Sequence, residues 1–451
     1  MTIKDIIQSR QTQFLDELFS LMRIPSVSGQ QAHLQDMQDC AQRWKEILLS
    51  SGVDKAEIFQ TKGHPIVYGE KIIDPKAHTV LVYGHYDVMP EDPVELWTTP
   101  PFEPHIENGL IKGRGADDDK GQSMIQVKAF QLALENNLLA CNVKFLFEGE
   151  EEIGSIHLEE FCRDHKDLLK ADVILVSDTS MLGADTPSIT TGLRGISYWE
   201  VEVTGAARDL HSGIFGGAVP NPIQELSAII SRLIDKEGKI TIPGFYDKVQ
   251  EASAEERTML AAVPHDDEAY RKSVGAPGLK GEKGYSTIER TGIRPTLDVC
   301  GIWGGYTGEG VKTVLPSKAY AKISTRLVPD QDYQEIGRLF EDYIRRLAPP
   351  EVKVEVRFKH GGNPYVCSLD LPAYKAAEAA YHKVFGKRPL AIRRGGSIPV
   401  IATFEKVLGI KSILMGFGLE SNAIHSPNEN FPLNLWLQSI EVVVEFYRLY
   451  K

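Results

Sequence analysis

The chain contains no run of eighteen apolar residues, so no segment is built to cross a bilayer as a helix. It also lacks positive charge: 50 Lys and Arg stand against 62 Asp and Glu, for a formal net charge of −12, and no basic run appears. A nucleic-acid surface needs clustered Lys and Arg to neutralise phosphates, and that class is excluded. The five cysteines, Cys40, Cys141, Cys162, Cys300 and Cys367, are scattered and form no C-x-x-C pair, which argues against a disulfide scaffold. The first residues, MTIKDIIQSRQTQFLDEL, are polar at helical spacing and have neither the apolar core nor the small-residue cleavage site of a signal peptide. Reduced thiols and a cytoplasmic location are the expectation. Equally missing are a G-x-x-x-x-G-K-[ST] phosphate loop, an H-E-x-x-H helix and a G-x-S-x-G elbow.

What is present is enough apolar sequence, 42% of 451 residues, to fill more than one core. Apolar residues at three- and four-residue spacing predict helices over Ile3 to Met22 and Leu34 to Leu49. Short β-rich runs follow at Ala56 to Gln60, Ile66 to Glu70 and Thr79 to Tyr83, then a helix from about Gln122 to Glu135. A strand at Val143 to Phe147, a helix at Leu158 to Leu169 and a strand at Val173 to Val176 continue the alternation. This rhythm predicts an α/β sandwich with a largely parallel sheet. Between about 193 and 366 the pattern becomes α+β, with a charged, glycine-rich stretch from Lys248 to Gly292. The α/β rhythm then returns. The expected organisation is a catalytic domain in two parts, 1–192 and 367–451, with 193–366 inserted.

The stretch GRGADDDKG, residues 113–121, sets three consecutive carboxylates between a glycine turn and a helix start. Such a cluster repels itself unless a cation neutralises it, and oxygen donors suit divalent ions. An acidic helix cap is the plain alternative. Four further groups favour the metal. His85 and Asp87 follow the run Thr79 to Tyr83, Glu150 to Glu152 follow Val143 to Phe147, Asp178 follows Val173 to Val176, and His425 follows Ser412 to Met415. Ligands of open α/β sheets bind beyond the carboxyl ends of the strands, and unpaired charges there would be costly. Histidine with carboxylate and no cysteine suits catalytic Zn²⁺, with Mn²⁺ or Co²⁺ as alternatives. Two histidines and several carboxylates exceed the needs of one ion. A pair about 3.5 to 4 Å apart, bridged by a carboxylate and a water, would use them and make hydroxide at neutral pH.

The set YGHYDV, GRGADDDKG, EGEEEIGS, SDTS, RDLHSGIFGG and AIHSPNE resembles the aminoacylase and carnosinase-type co-catalytic zinc metallopeptidases, most closely their cytosolic non-specific dipeptidase branch. The resemblance covers the whole chain. It implies a phosphorylase/hydrolase-like α/β sandwich with an inserted α+β lid and dimerisation domain. It implies that His85 and Asp178 hold one metal, Glu152 and His425 the other, and that Asp118 bridges both, ahead of a cis bond at Asp118–Asp119. Glu151 becomes the general base, Asp87 a hydrogen-bond partner that orients His85, and Glu150 is left without a role. His211 matches a histidine that reaches the oxyanion from the partner subunit, and Arg326 the arginine that grips the substrate carboxylate. Thr313, His360, Gly396 and Ser397 match positions near substrate.

The implied activity is hydrolysis of free dipeptides by a homodimer joined through the inserted domain, with two Zn²⁺ per subunit. Runner-up readings are an N-acyl-amino-acid deacylase or a carboxypeptidase of the same family. Members that remove acyl groups often carry Glu where this chain has Asp178. A non-catalytic metal-binding scaffold is the reading from another class.

Overall fold

The computed structural model describes residues 1–396 and 398–451, apart from the Glu255 side chain. They form two compact units: 1–191 with 367–391 and 403–451, and 192–366 with 392–402.

The first unit is built on a sheet ordered Lys55–Phe59, Ile66–Lys71, Asn142–Glu148, Thr79–His85, Val173–Val176, Ser412–Leu414, Ser188–Leu193. The four strands from Asn142–Glu148 to Ser412–Leu414 run parallel. Both flanks are antiparallel, so the sheet is mixed, where the sequence rhythm suggested a largely parallel one. Periodicity records which residues face the core and carries no information on strand direction. Strands buried on both faces read as unbroken apolar runs, and Asn142–Glu148 is buried throughout. Phe147 packs on Trp44 of the helix Leu34–Ser50 with ring centroids 4.6 Å apart, and Phe145 on Phe130 of the helix Lys120–Glu135 at 5.3 Å. On the opposite face Tyr83 meets Phe404 at 5.0 Å. Helices therefore cover both faces, as the sandwich requires.

The second unit has a four-stranded antiparallel sheet in the order Thr296–Gly304, Lys318–Leu327, Gly195–Thr204, Lys353–Gly362. Its core joins Trp199, Val201 and Ile323 to Leu226 and Ile229 of the helix Pro222–Ile230 and to Ile336, Phe340 and Ile344 of the helix Tyr333–Leu347. Trp199 stacks on Phe340 at 4.2 Å. The charged stretch 248–292 contains three short helices, each with a side-chain cap from Ser253, Asp266 or Ser286. Capping rather than apolar periodicity marks them, so a periodicity search passes over them. The expected helix Leu158 to Leu169 divides into Leu158–Asp164 and Lys166–Leu169 at His165, whose ring packs against Phe161 and Phe59. Among the described residues no helix is long and apolar enough to cross a membrane.

Candidate active site

Neighbouring parallel strands end at one edge of the first unit's sheet, and each passes into a loop with a charged side chain. Thr79–His85 ends on His85, Asn142–Glu148 leads to Glu150, Glu151 and Glu152, and Val173–Val176 leads to Asp178. Asp117, Asp118 and Asp119 precede the helix Lys120–Glu135, and Asp119 accepts a hydrogen bond from the His85 amide at 3.2 Å. A Cβ on Gly84 would stand 2.0 Å from Ser123 Oγ and 2.8 Å from Asp119 Oδ2, so glycine is needed where the aspartate run meets the strand end. The peptide bond Asp118–Asp119 is cis.

His85, Asp118 and Asp178 present ligand atoms within 4.8 Å of one another, and so do Asp118, Glu152 and His425. Asp118 belongs to both groups. One of its oxygens lies 3.0 Å from His85 Nε2 and the other 2.9 Å from His425 Nε2, which is itself 3.1 Å from Glu152 Oε2. His85 Nε2 and Glu152 Oε1 are buried without a hydrogen bond of acceptable geometry. Buried polar atoms are ordinarily satisfied. Imidazole and carboxylate donors in two triads that share one carboxylate fit a pair of divalent ions, which would satisfy both orphaned atoms.

A model of peptidase family M20/M25/M40 matches residues 81–449. The chain belongs to this family. It is 34% identical to the Cys-Gly metallodipeptidase dug1 of Schizosaccharomyces pombe over 97% of this chain and 95% of that protein. Among solved structures it is similar to an M20 family metallo-carboxypeptidase from Sulfolobus solfataricus, at 35% identity and a TM-score of 0.87, covering 97% of this chain and 99% of that one. It is likewise similar to human carnosine dipeptidase 1, at 30% identity and a TM-score of 0.81, covering 99% and 98%.

The electrostatics of this peptidase's cluster follow from crowding. Burial, aided by the charge of Asp118, pushes the Asp178 carboxyl up to about 7. Burial also raises Glu152 and lifts Glu151 well above the carboxylate range. Contacts with Asp118 and Glu152 raise His425 to about 10. Burial would lower His85, but Asp118 and Asp87 reverse this and hold it well above its ordinary value. Burial opposes ionisation of Asp118, yet His425 and His85 keep it below the usual range. The cluster thus holds protons that a cation must displace, so metal affinity is expected to rise with pH from about pH 6, below the Asp178 value, up to about pH 10, where His425 loses its proton, with net proton release. Calorimetry in two buffers of different ionisation enthalpy reads that release, and an affinity flat in pH would contradict it.

Asp87 is fully buried, and its contacts extend beyond His85. Its two oxygens accept from the amides of Glu151 at 3.2 Å and Glu152 at 3.0 Å. His85 Nδ1 has the Asp87 carbonyl oxygen at 3.1 Å and its carboxylate at 3.3 Å. Glu150, which sequence reading leaves without a role, accepts from the amides of His64 and His157 at 3.1 Å each and lies 2.9 Å from His157 Nδ1. It ties the Glu151 turn to the neighbouring loop. Glu429, the last residue of AIHSPNE, has no role in the sequence reading; its only sequence signal is its place at the end of the His425 motif.

The remaining predicted residues, Ser397 apart, belong to the second unit. His211 Nδ1 accepts from the Gly213 amide at 3.0 Å, which makes Nε2 the protonated nitrogen of the neutral ring. Thr313 is exposed, and its carbonyl accepts from the Ser212 amide at 3.2 Å. Arg326 lies on Lys318–Leu327 opposite Ile196 and Thr296, where burial lowers its pKa. His360 stacks on Tyr198 with centroids 5.3 Å apart; burial, then the charge of Arg326, lowers its pKa. Gly396 is exposed, and a Cβ there would meet nothing within 4 Å. Ser397 lies outside the described residues.

Proposed function

We propose that this M20 peptidase hydrolyses the peptide bond of free dipeptides, with Glu151 as general base and general acid. The observation that carries the reading is Asp118, whose two oxygens face two different histidines next to Glu151. That the chain is a metallodipeptidase follows from its curated relatives, among them the fission-yeast Cys-Gly metallodipeptidase and the human Beta-Ala-His dipeptidase. Cys-Gly and β-Ala-His are accordingly the first dipeptides to try.

In this reading His85 and Asp178 would hold one ion, Glu152 and His425 the other, and Asp118 would contribute to both. Zn²⁺ fits the donor set best, with Mn²⁺ and Co²⁺ as alternatives. When bound, the ions supply Lewis acidity, polarising the scissile carbonyl and making water nucleophilic near neutral pH. Glu151 takes the proton of the attacking water and returns one to the leaving amine. Asp87 holds Glu151 and Glu152 in place through their amides. His211 donates Nε2–H to the developing oxyanion, reaching it from the partner subunit of a homodimer formed through the lid domain 193–366. Arg326 grips the substrate's carboxylate, with Thr313, His360, Gly396 and Ser397 near the substrate. Five free thiols are in keeping with a reducing, cytoplasmic compartment.

The similarity to the Sulfolobus metallo-carboxypeptidase favours one second reading, the same chemistry on longer substrates. Amino-acid release from free dipeptides, N-acetylated dipeptides and tripeptides separates the two, using chelator-treated protein with Zn²⁺ or Mn²⁺ restored. Metal-restored cleavage of free dipeptides is the expected result. Cleavage confined to blocked or longer substrates would transfer the assignment to the carboxypeptidase or deacylase branch.

A further inference from the structure

Glu429 is fully buried, and its carboxylate gathers four donors from one loop. Oε1 accepts from the amides of Asp117 at 2.9 Å and Asp118 at 3.0 Å. Oε2 accepts from the Gly115 amide at 3.0 Å and from Arg114 Nη1 at 2.9 Å. The Glu429 carbonyl accepts from the Gly113 amide at 3.1 Å. Almost the whole turn that presents Asp118 is therefore hung on this one side chain.

The same residue closes the loop that carries His425. That loop places three non-glycine residues in the left-handed region: Ala423 at φ +57°, His425 at +57° and Asn428 at +64°. Such conformations persist only where the surroundings over-determine them. A second tie lies at the start of the loop, where Asn422 Nδ2 donates to Asp117 Oδ2 at 2.6 Å. Beyond Glu429 the strand Asn430–Pro432 pairs with Leu110–Lys112, just before the aspartate turn. Glu429 thus connects two segments more than 300 positions apart in the chain, each of which delivers a ligand to the same place.

We propose that Glu429 is a positioning residue for the metal pair: it sets the distance between Asp118, whose turn it holds, and His425, whose loop it ends. The inference rests on the functional reading above, in which those two residues bind metal. A carboxylate is suited to this task because it has about four acceptor sites and no donor. An amide in its place would turn an N–H₂ group toward donors that need an acceptor. Displacing Asp118 by a fraction of an ångström alters both ions at once, since it belongs to both triads.

The test uses full-length protein freed of metal, loaded with Co²⁺, and read by visible absorption and by competition against a chelator. Glu429→Gln is the main variant. Glu429→Asp, which keeps the charge and shortens the reach by one methylene, serves if the amide prevents folding. Lys128→Met, removing a buried cation bonded to Glu17 and Gln131, is the control for general destabilisation. Expected is a tenfold or greater loss of Co²⁺ affinity and a changed Co²⁺ spectrum in folded Glu429 variants, while Lys128→Met lowers only the unfolding temperature. Folded Glu429 variants with the wild-type spectrum and affinity would overturn the proposal while leaving the functional reading intact. Wild-type protein that takes up no Co²⁺ would overturn the functional reading itself, and the proposal with it.

Discussion

Glu151→Gln is expected to lower kcat on a cleaved dipeptide by about 10²- to 10⁴-fold, the usual contribution of a positioned general acid–base group, while both metal ions stay bound. Glu151 belongs to neither ligand triad. Its place is set through its backbone amide, which donates to Asp87, so the substitution leaves the turn held. What changes is proton transfer: an amide cannot take a proton from water and return it to an amine. Steady-state kinetics with metal content measured on the same samples checks this, and KM should change far less than kcat because, in the proposed role, the carboxylate acts on the reacting water rather than on the resting substrate. A variant retaining more than about a tenth of wild-type kcat would place the base elsewhere. Wild type and variant equally silent across a broad dipeptide panel, with metal bound to both, would favour the non-catalytic scaffold.

Asp118→Ala is expected to cost more, because in the proposed reading one side chain, shared by both triads, would serve both ions. Loss of an outer-sphere partner alone weakens metal binding by about 10- to 100-fold, and loss of a shared ligand should exceed the upper figure at both positions. Without Asp118 each triad falls to two donors, His85 with Asp178 and His425 with Glu152. Two donors do not hold a catalytic Zn²⁺, which takes three protein ligands. The measurement is metal stoichiometry after dialysis, expected to fall from two ions per chain to none, with turnover below detection at any metal concentration that keeps the protein soluble. Retention of one tightly held ion would show that one triad recruits a donor other than Asp118, and the bridging assignment would have to be given up.

Much of this site could be read before any coordinates. His85, Glu152 and Asp178 each follow a β-rich run, and the carboxyl edge of an α/β sheet is where ligands gather; the structure brings all three together with Asp118 and His425. Their legibility has a local cause: strand, loop and ligand are adjacent in the chain, so one short window contains all three. The sandwich and the helices Ile3–Met22 and Leu34–Ser50 are legible likewise, because apolar spacing over a dozen residues records one face of one element.

Other features depend on partners that no window contains. Asp87 reads as a neighbour of His85, yet its carboxylate serves the amides of Glu151 and Glu152, 64 and 65 positions away. Glu150 looks idle until the His157 and His64 loops close around it. Strand direction escapes as well, since an apolar run buried on both faces is the same read either way. The amino-acid sequence by itself determined which side chains could bind metal and which elements would carry them, because ligand chemistry and amphipathic periodicity are properties of short stretches. Only the tertiary structure decided that Asp118 would stand between two histidines and that Glu429 would hang one ligand loop on another. Those are distances between segments hundreds of residues apart, and they exist only after the packing of the whole sheet has brought the strand ends together.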